Sequence, residues 1–132
     1  MLIVLRNFIF TLLSFFAIDL LWLGLVARGF YRSQIGFLLA DRTNWLAAGL
    51  FYFFYLVGLS YFVLYPALAK GSWQSALLNG LLFGFMAYMT YDLTNLATLK
   101  SWPVLLTVVD ITWGTLLTGG TALISFWLIR LF

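Results

Sequence analysis

Four apolar stretches, each about 20 residues or longer, follow one another with only brief polar interruptions, and that pattern leaves few ways to fold. A run of this length lets an α-helix cross bilayer hydrocarbon, where each helix satisfies its own backbone N–H and C=O groups. The runs cover about residues 7–26, 45–68, 75–99 and 104–129. The expected fold is all-α: an integral membrane four-helix bundle with short loops, in one transmembrane domain over 1–132. Composition agrees, at 64% hydrophobic and 8% charged residues, and a length of 132 leaves almost nothing for a soluble part.

Polar and turn residues punctuate the runs: Arg28 and Arg32, then Asp41 to Asn44, then Lys70-Gly71-Ser72, then Lys100 to Pro103. Ser101 reads as an N-cap with Pro103 in the first turn of the fourth helix. Pro66 falls near the end of the second run, where a membrane helix tolerates it. The longest connection, Ala27 to Asn44, mixes Phe30, Tyr31, Ile35, Phe37 and Leu38 with Arg28, Arg32 and Gln34. It is expected to lie along the headgroup layer as an amphipathic stretch. Trp45, Trp73 and Trp102 sit at span ends and read as interface-belt residues. The aromatic cluster Phe51 to Tyr55 reads as lipid-facing or packing surface.

Four spans put both termini on one face. Arg6, Lys70 and Arg130 fall there, whereas Arg28, Arg32, Arg42 and Lys100 fall on the other. The positive-inside rule then favours termini outside by a single residue. Near balance also leaves an antiparallel homodimer open. The net charge of +3 reads as interface anchoring in contact with the lipid bilayer, not as a nucleic-acid surface. The first run is not read as a cleavable leader, because it continues past any cleavage site and carries an acid. With no Cys and no His, zinc and haem lack their usual ligands.

Asp19, Asp92 and Asp110 are the residues that demand a reason. A carboxylate at membrane depth costs at least about 2.5–3.5 kcal/mol unless it is paired, protonated or facing water. No Lys, Arg or His lies at that depth. With a rise of about 1.5 Å per residue, all three fall roughly 10–14 Å from the loop face, in one layer. On the fourth span Thr107, Asp110, Gly114, Thr118, Thr121 and Ser125 follow steps of three and four, a small polar stripe on one side. On the third, Tyr88, Asp92 and Asn95 share a face, with Tyr91 and Thr98 at its margin. Gly80 and Gly84 form a GxxxG that permits close helix approach. Trp22 follows Asp19, and Trp113 follows Asp110, at the same spacing. Each places an indole N–H one turn from an acid.

These features predict a shared polar pocket that holds protons or a hard cation such as Na⁺ or Mg²⁺; any metal would sit on Asp19, Asp92 and Asp110. The candidate substrate- or ion-binding residues are Asp19, Asp92, Asp110, Asn95, Thr94, Thr98, Trp22, Trp113 and Tyr91. The competing reading is structural: buried acids hydrogen-bonded across helices simply hold the bundle together.

Several strings resemble a known family: Asp19-Leu20-Leu21-Trp22-Leu23-Gly24, Tyr91-Asp92-Leu93-Thr94-Asn95-Leu96-Ala97-Thr98, and Asp110-Ile111-Thr112-Trp113-Gly114-Thr115. Phe51-Tyr52 and Tyr55-Leu56-Val57-Gly58 extend the likeness over essentially the whole chain. The family is domain-of-unknown-function family 2177. The resemblance implies a four-span protein of the bacterial inner membrane and assigns no activity or catalytic residues. Three functions compete. The first is a proton- or cation-coupled transporter of a small or lipophilic substrate, similar in plan to the small multidrug-resistance exporters, which carry a Glu in the first span where this chain has Asp19. The second is a membrane-embedded enzyme or binding protein for a lipid or isoprenoid substrate, with acidic pairs for acid–base work or Mg²⁺. The third is a subunit of a larger membrane complex.

Overall fold

The computed structural model describes all residues from Met1 to Phe132. The chain folds into four helical rods, as the four apolar runs predict. The first comprises α1 (Leu2–Trp22), a π-helical turn (Leu23–Ala27), α2 (Arg28–Ile35) and a 3₁₀ turn (Gly36–Leu38). The second comprises α3 (Trp45–Leu59), a second π turn (Ser60–Leu64) and α4 (Tyr65–Lys70). The last two are α5 (Trp73–Thr98) and α6 (Val104–Leu131). Three rods, Leu2–Leu38, Trp45–Lys70 and Val104–Leu131, are long and apolar enough to cross a membrane. The 26-residue α5 is long enough but more polar, with Gln74, Asn79, Asp92 and Asn95 along it.

Local chemistry sets the ends. The Asn44 side chain accepts the Ala47 N–H at 3.1 Å to start α3, and Ser72 caps α5 through the Ser75 N–H at 3.2 Å. Gly71 takes the left-handed conformation (φ 63°) that closes α4. Pro66 follows the second π turn; its missing N–H and its ring, which crowds the carbonyl of Phe62, account for the break there. Ser101 is not the N-cap of α6: it sits at φ 61° in the turn, and Pro103 occupies the cap position. The connection after Ala27 is also not a separate surface stretch. It continues the first rod as helix and buries Ile35 against Trp102 and Leu106. Trp102 is therefore buried rather than belt-like, with its Nε1 donating to Thr107 Oγ1 at 3.1 Å.

Helices α5 and α6 pack most closely, and small residues explain it. A methyl group at Gly80 would meet Ala122 Cβ at 2.8 Å, and one at Gly84 would meet Thr118 Cβ at 2.6 Å. A methyl at Gly114 would lie within the Tyr88 ring. The antiparallel register is thus Gly80 opposite Ala122, Gly84 opposite Thr118 and Tyr88 opposite Gly114. The buried face of α6 includes Thr107, Asp110, Gly114, Thr118, Thr121 and Ser125, the stripe expected from their spacing. The central core is Phe15, Leu56, Leu59, Val63, Leu117 and Ala122 with Tyr55. Rod two meets α5 through its π turn and α4, and only marginally through α3.

Candidate functional site

Between the central core and the Ile35–Trp102–Leu106 cluster lies a cavity of about 480 Å³. That volume falls within the range of small-molecule sites. Each rod contributes to it: Asp19, Trp22, Tyr31 and Ile35 from the first; Phe51, Tyr52 and Tyr55 from α3; Tyr88 and Tyr91 from α5; Leu106, Asp110 and Trp113 from α6. No Lys or Arg lines it.

Asp19 and Asp110 both open on this space, although they are only 6% and 8% exposed. Each is held by a phenol from another element. Tyr52 donates to Asp19 Oδ2 at 3.3 Å, and Tyr31, reaching in from α2, donates to Asp110 Oδ1. The Trp113 indole N–H lies beside the Asp19 carboxylate. Trp22 and Trp113 stack face to face, with ring centroids 4.3 Å apart and planes 8° from parallel. The two Asp-x-x-Trp units thus meet across the α1–α6 contact. Trp22 Nε1 itself is buried without a partner.

The remaining expected residues divide. Tyr91 lines the rim and is 58% exposed. Asp92 lies behind the wall: it is 0% exposed, and neither carboxylate oxygen has a hydrogen-bond partner. Asn95 is half-buried beside Tyr91 and does not line the cavity. Thr94 and Thr98 face outward, and the Thr98 hydroxyl donates to the Thr94 carbonyl of its own helix at 2.8 Å. The shared nook therefore holds two of the three acids. Asp19, Asp92 and Asp110 do not gather into a cluster that could hold a metal ion.

Residues 4–127 match a family described as "Predicted membrane protein (DUF2177)". The chain belongs to this family. The matched segment takes in every DUF2177 cavity residue from Asp19 to Trp113, and the family is one of membrane proteins, in keeping with the three helical rods here that are long and apolar enough to cross a bilayer. No curated protein and no solved structure matches the chain.

Spacing on this DUF2177 sequence brings forward Tyr88 and Tyr91 but not Tyr31, Tyr52 or Tyr55. Tyr52 and Tyr55 sit in an aromatic cluster that reads as packing, yet Tyr52 holds Asp19. Tyr55 reaches Thr118 Oγ1 at 2.6 Å. Because the Thr118 hydroxyl already donates to the Gly114 carbonyl at 2.7 Å, Tyr55 must be the donor. The available signal was chemical: a buried acid without a cation needs donors, and threonine hydroxyls near it donate to carbonyls of their own helix, which leaves the phenols.

Proposed function

We propose that this protein takes a lipophilic cation, or an amphiphile with a cationic head, from the bilayer into the aromatic cavity and exchanges it for protons as a small transporter. One observation carries the reading: two carboxyls face a single aromatic cavity in which no basic residue balances them. Tyrosine and tryptophan faces attract organic cations, by about 0.5–2 kcal/mol per contact. The carboxylates supply the opposite charge.

The rim supports entry from lipid. Leu23, Phe51 and Tyr91 are 40%, 50% and 58% exposed. Phe51 lies roughly 9 Å from the start of α3, and Tyr91 roughly 10 Å from the end of α5, by helical rise. Those depths fall within a hydrocarbon half-thickness of about 15 Å. Phe51 of α3 and Tyr91 of α5 both line the cavity, so its rim is built from those two helices. A lipid-phosphate enzyme gains less support, since Arg28, Arg32, Arg42 and Lys100 lie outside the cavity lining.

Tetraphenylphosphonium and the similarly shaped neutral triphenylphosphine oxide test the reading. In nanodiscs the cation should bind more tightly, with proton release into a weakly buffered medium. In proteoliposomes an imposed pH gradient should drive its uptake. Asp19→Asn and Asp110→Asn should each weaken cation binding at least tenfold and spare the neutral probe. Equal binding of both probes, or unchanged cation binding in the double variant, would refute the proposal.

A further inference from the structure

The register of α5 on α6 has one more step. Gly80 faces Ala122, Gly84 faces Thr118 and Tyr88 faces Gly114; four residues on, Asp92 faces Asp110. Beyond them Leu96 packs with the cluster that contains Leu106, so the register continues past the acids. Asp92 is wholly buried, and both its oxygens lack partners. Such a group is rare in folded proteins, and an unpaired buried charge is rarer still. Two facing carboxylates at a buried interface repel each other, and no basic side chain is near to offset them.

The occupied lone pairs of Asp110 show where a proton fits. Its Oδ1 accepts from Tyr31, which leaves Oδ2 free to accept from another donor. A protonated Asp92 is such a donor. We infer that Asp92 and Asp110 share one proton across the α5–α6 interface, with Asp92 the acid and Asp110 the carboxylate, and that this pair is the proton site of the chain while Asp19 faces ligand. The inference deepens the transport reading and depends on it only for the use made of the proton.

The other groups facing the pair are phenols and one acid. Tyr31 comes from α2, Tyr88 and Tyr91 from α5, and Asp19 from α1, with Tyr52 of α3 behind it. None can supply a positive charge. Loss of the shared proton leaves two carboxylates in the interface, a state that a cation in the adjoining cavity would stabilise. One proton leaves Asp92 by way of Asp110 as one positive charge enters, so charge balances.

Infrared difference spectroscopy on the purified, ligand-free protein in nanodiscs reads the pair directly. At neutral pH the spectrum should contain one protonated carboxyl C=O band per chain. That band should shift with ¹³C-labelled aspartate and on deuteration. Asp92→Asn, whose amide can still donate to Asp110, should abolish the band; Asp19→Asn should leave it at full intensity. Tyr31→Phe should move its frequency, because Asp110 then accepts one hydrogen bond fewer. The isotope experiment uses the native sequence, so a poorly folding variant does not block the test. Absence of the band at neutral pH, its survival in Asp92→Asn, or its loss on adding NaCl at fixed pH would each overturn the inference; the last would mark a sodium site. None of these readings involves tetraphenylphosphonium, so failure of the transport reading and failure of the proton pair are separately visible.

Discussion

Replacing Gly84 with Ala tests whether the α5–α6 contact holds the acid layer together. The added methyl would lie 2.6 Å from Thr118 Cβ and within overlap of the Gly114 carbonyl oxygen, whereas ordinary contact begins at 3.4 Å. Backbone cannot swing aside as a side chain can, so the helices must part by most of an ångström. Overpacking of this kind costs about 1–3 kcal/mol. In water the gain in helix propensity from Gly to Ala, about 1 kcal/mol, would offset part of that. In a bilayer the helices form before they pack, so little of that gain remains. Gly24 and Gly49 are internal controls, because a methyl at either meets nothing within 4 Å. Gly24→Ala and Gly49→Ala should fall within about 0.5 kcal/mol of the parent. Gly84→Ala should unfold at lower temperature or lower SDS fraction by an amount equivalent to about 1–3 kcal/mol. Thermal unfolding in mild detergent, followed by tryptophan fluorescence, measures all three. If Gly84→Ala proves as stable as Gly49→Ala, the register on which Asp92 faces Asp110 is wrong.

Other consequences are briefer. Tyr31→Phe removes the donor to Asp110 and should destabilise the fold by about 1.5–3 kcal/mol, the range for hydrogen bonds to charged groups; a smaller loss in the same unfolding assay would show that α2 is not anchored there. The Trp22–Trp113 stack should give an excitonic far-ultraviolet circular dichroism couplet, seen as the difference from a variant lacking one of the two tryptophans, that either Trp22→Phe or Trp113→Phe removes; its persistence in a single variant would contradict the stacked geometry. Thr94→Val and Thr98→Val, on the outer face of α5, should leave stability within about 0.5 kcal/mol and cation binding unchanged, and a tenfold loss of binding in either would return those threonines to the site.

What the chain's letters reveal follows the range of each interaction. The small polar stripe of α6 was readable because its members share one helix and a period of 3.6 sets which of them coincide. The common depth of the acids was readable for a similar reason: it needs only a rise per residue and the ends of each apolar run. Asn95, Thr94 and Thr98 fall outside the cavity because depth alone does not fix rotation about the axis. Asp92 and Asn95 share a face only loosely, and the close seat of Gly80, Gly84 and Tyr88 on α6 turns Asp92 inward and carries Thr94 and Thr98 out. Tyr31 was invisible to local pattern altogether. It reaches Asp110 because α2 continues past the π turn, a non-local consequence of Ile35 finding Trp102 and Leu106. The same reasoning explains why the sequence alone suggested three equivalent acids where the structure distinguishes two environments. Asp19 and Asp110 have phenols and a cavity, whereas Asp92 has only Asp110. A carboxyl placed opposite another, with one lone pair of its neighbour already taken, is suited to hold a proton, and a carboxyl on an aromatic cavity is suited to meet a cation. Coupling between those two tasks requires only that Asp110 belong to both settings, and its position between Tyr31, the cavity and Asp92 meets that requirement.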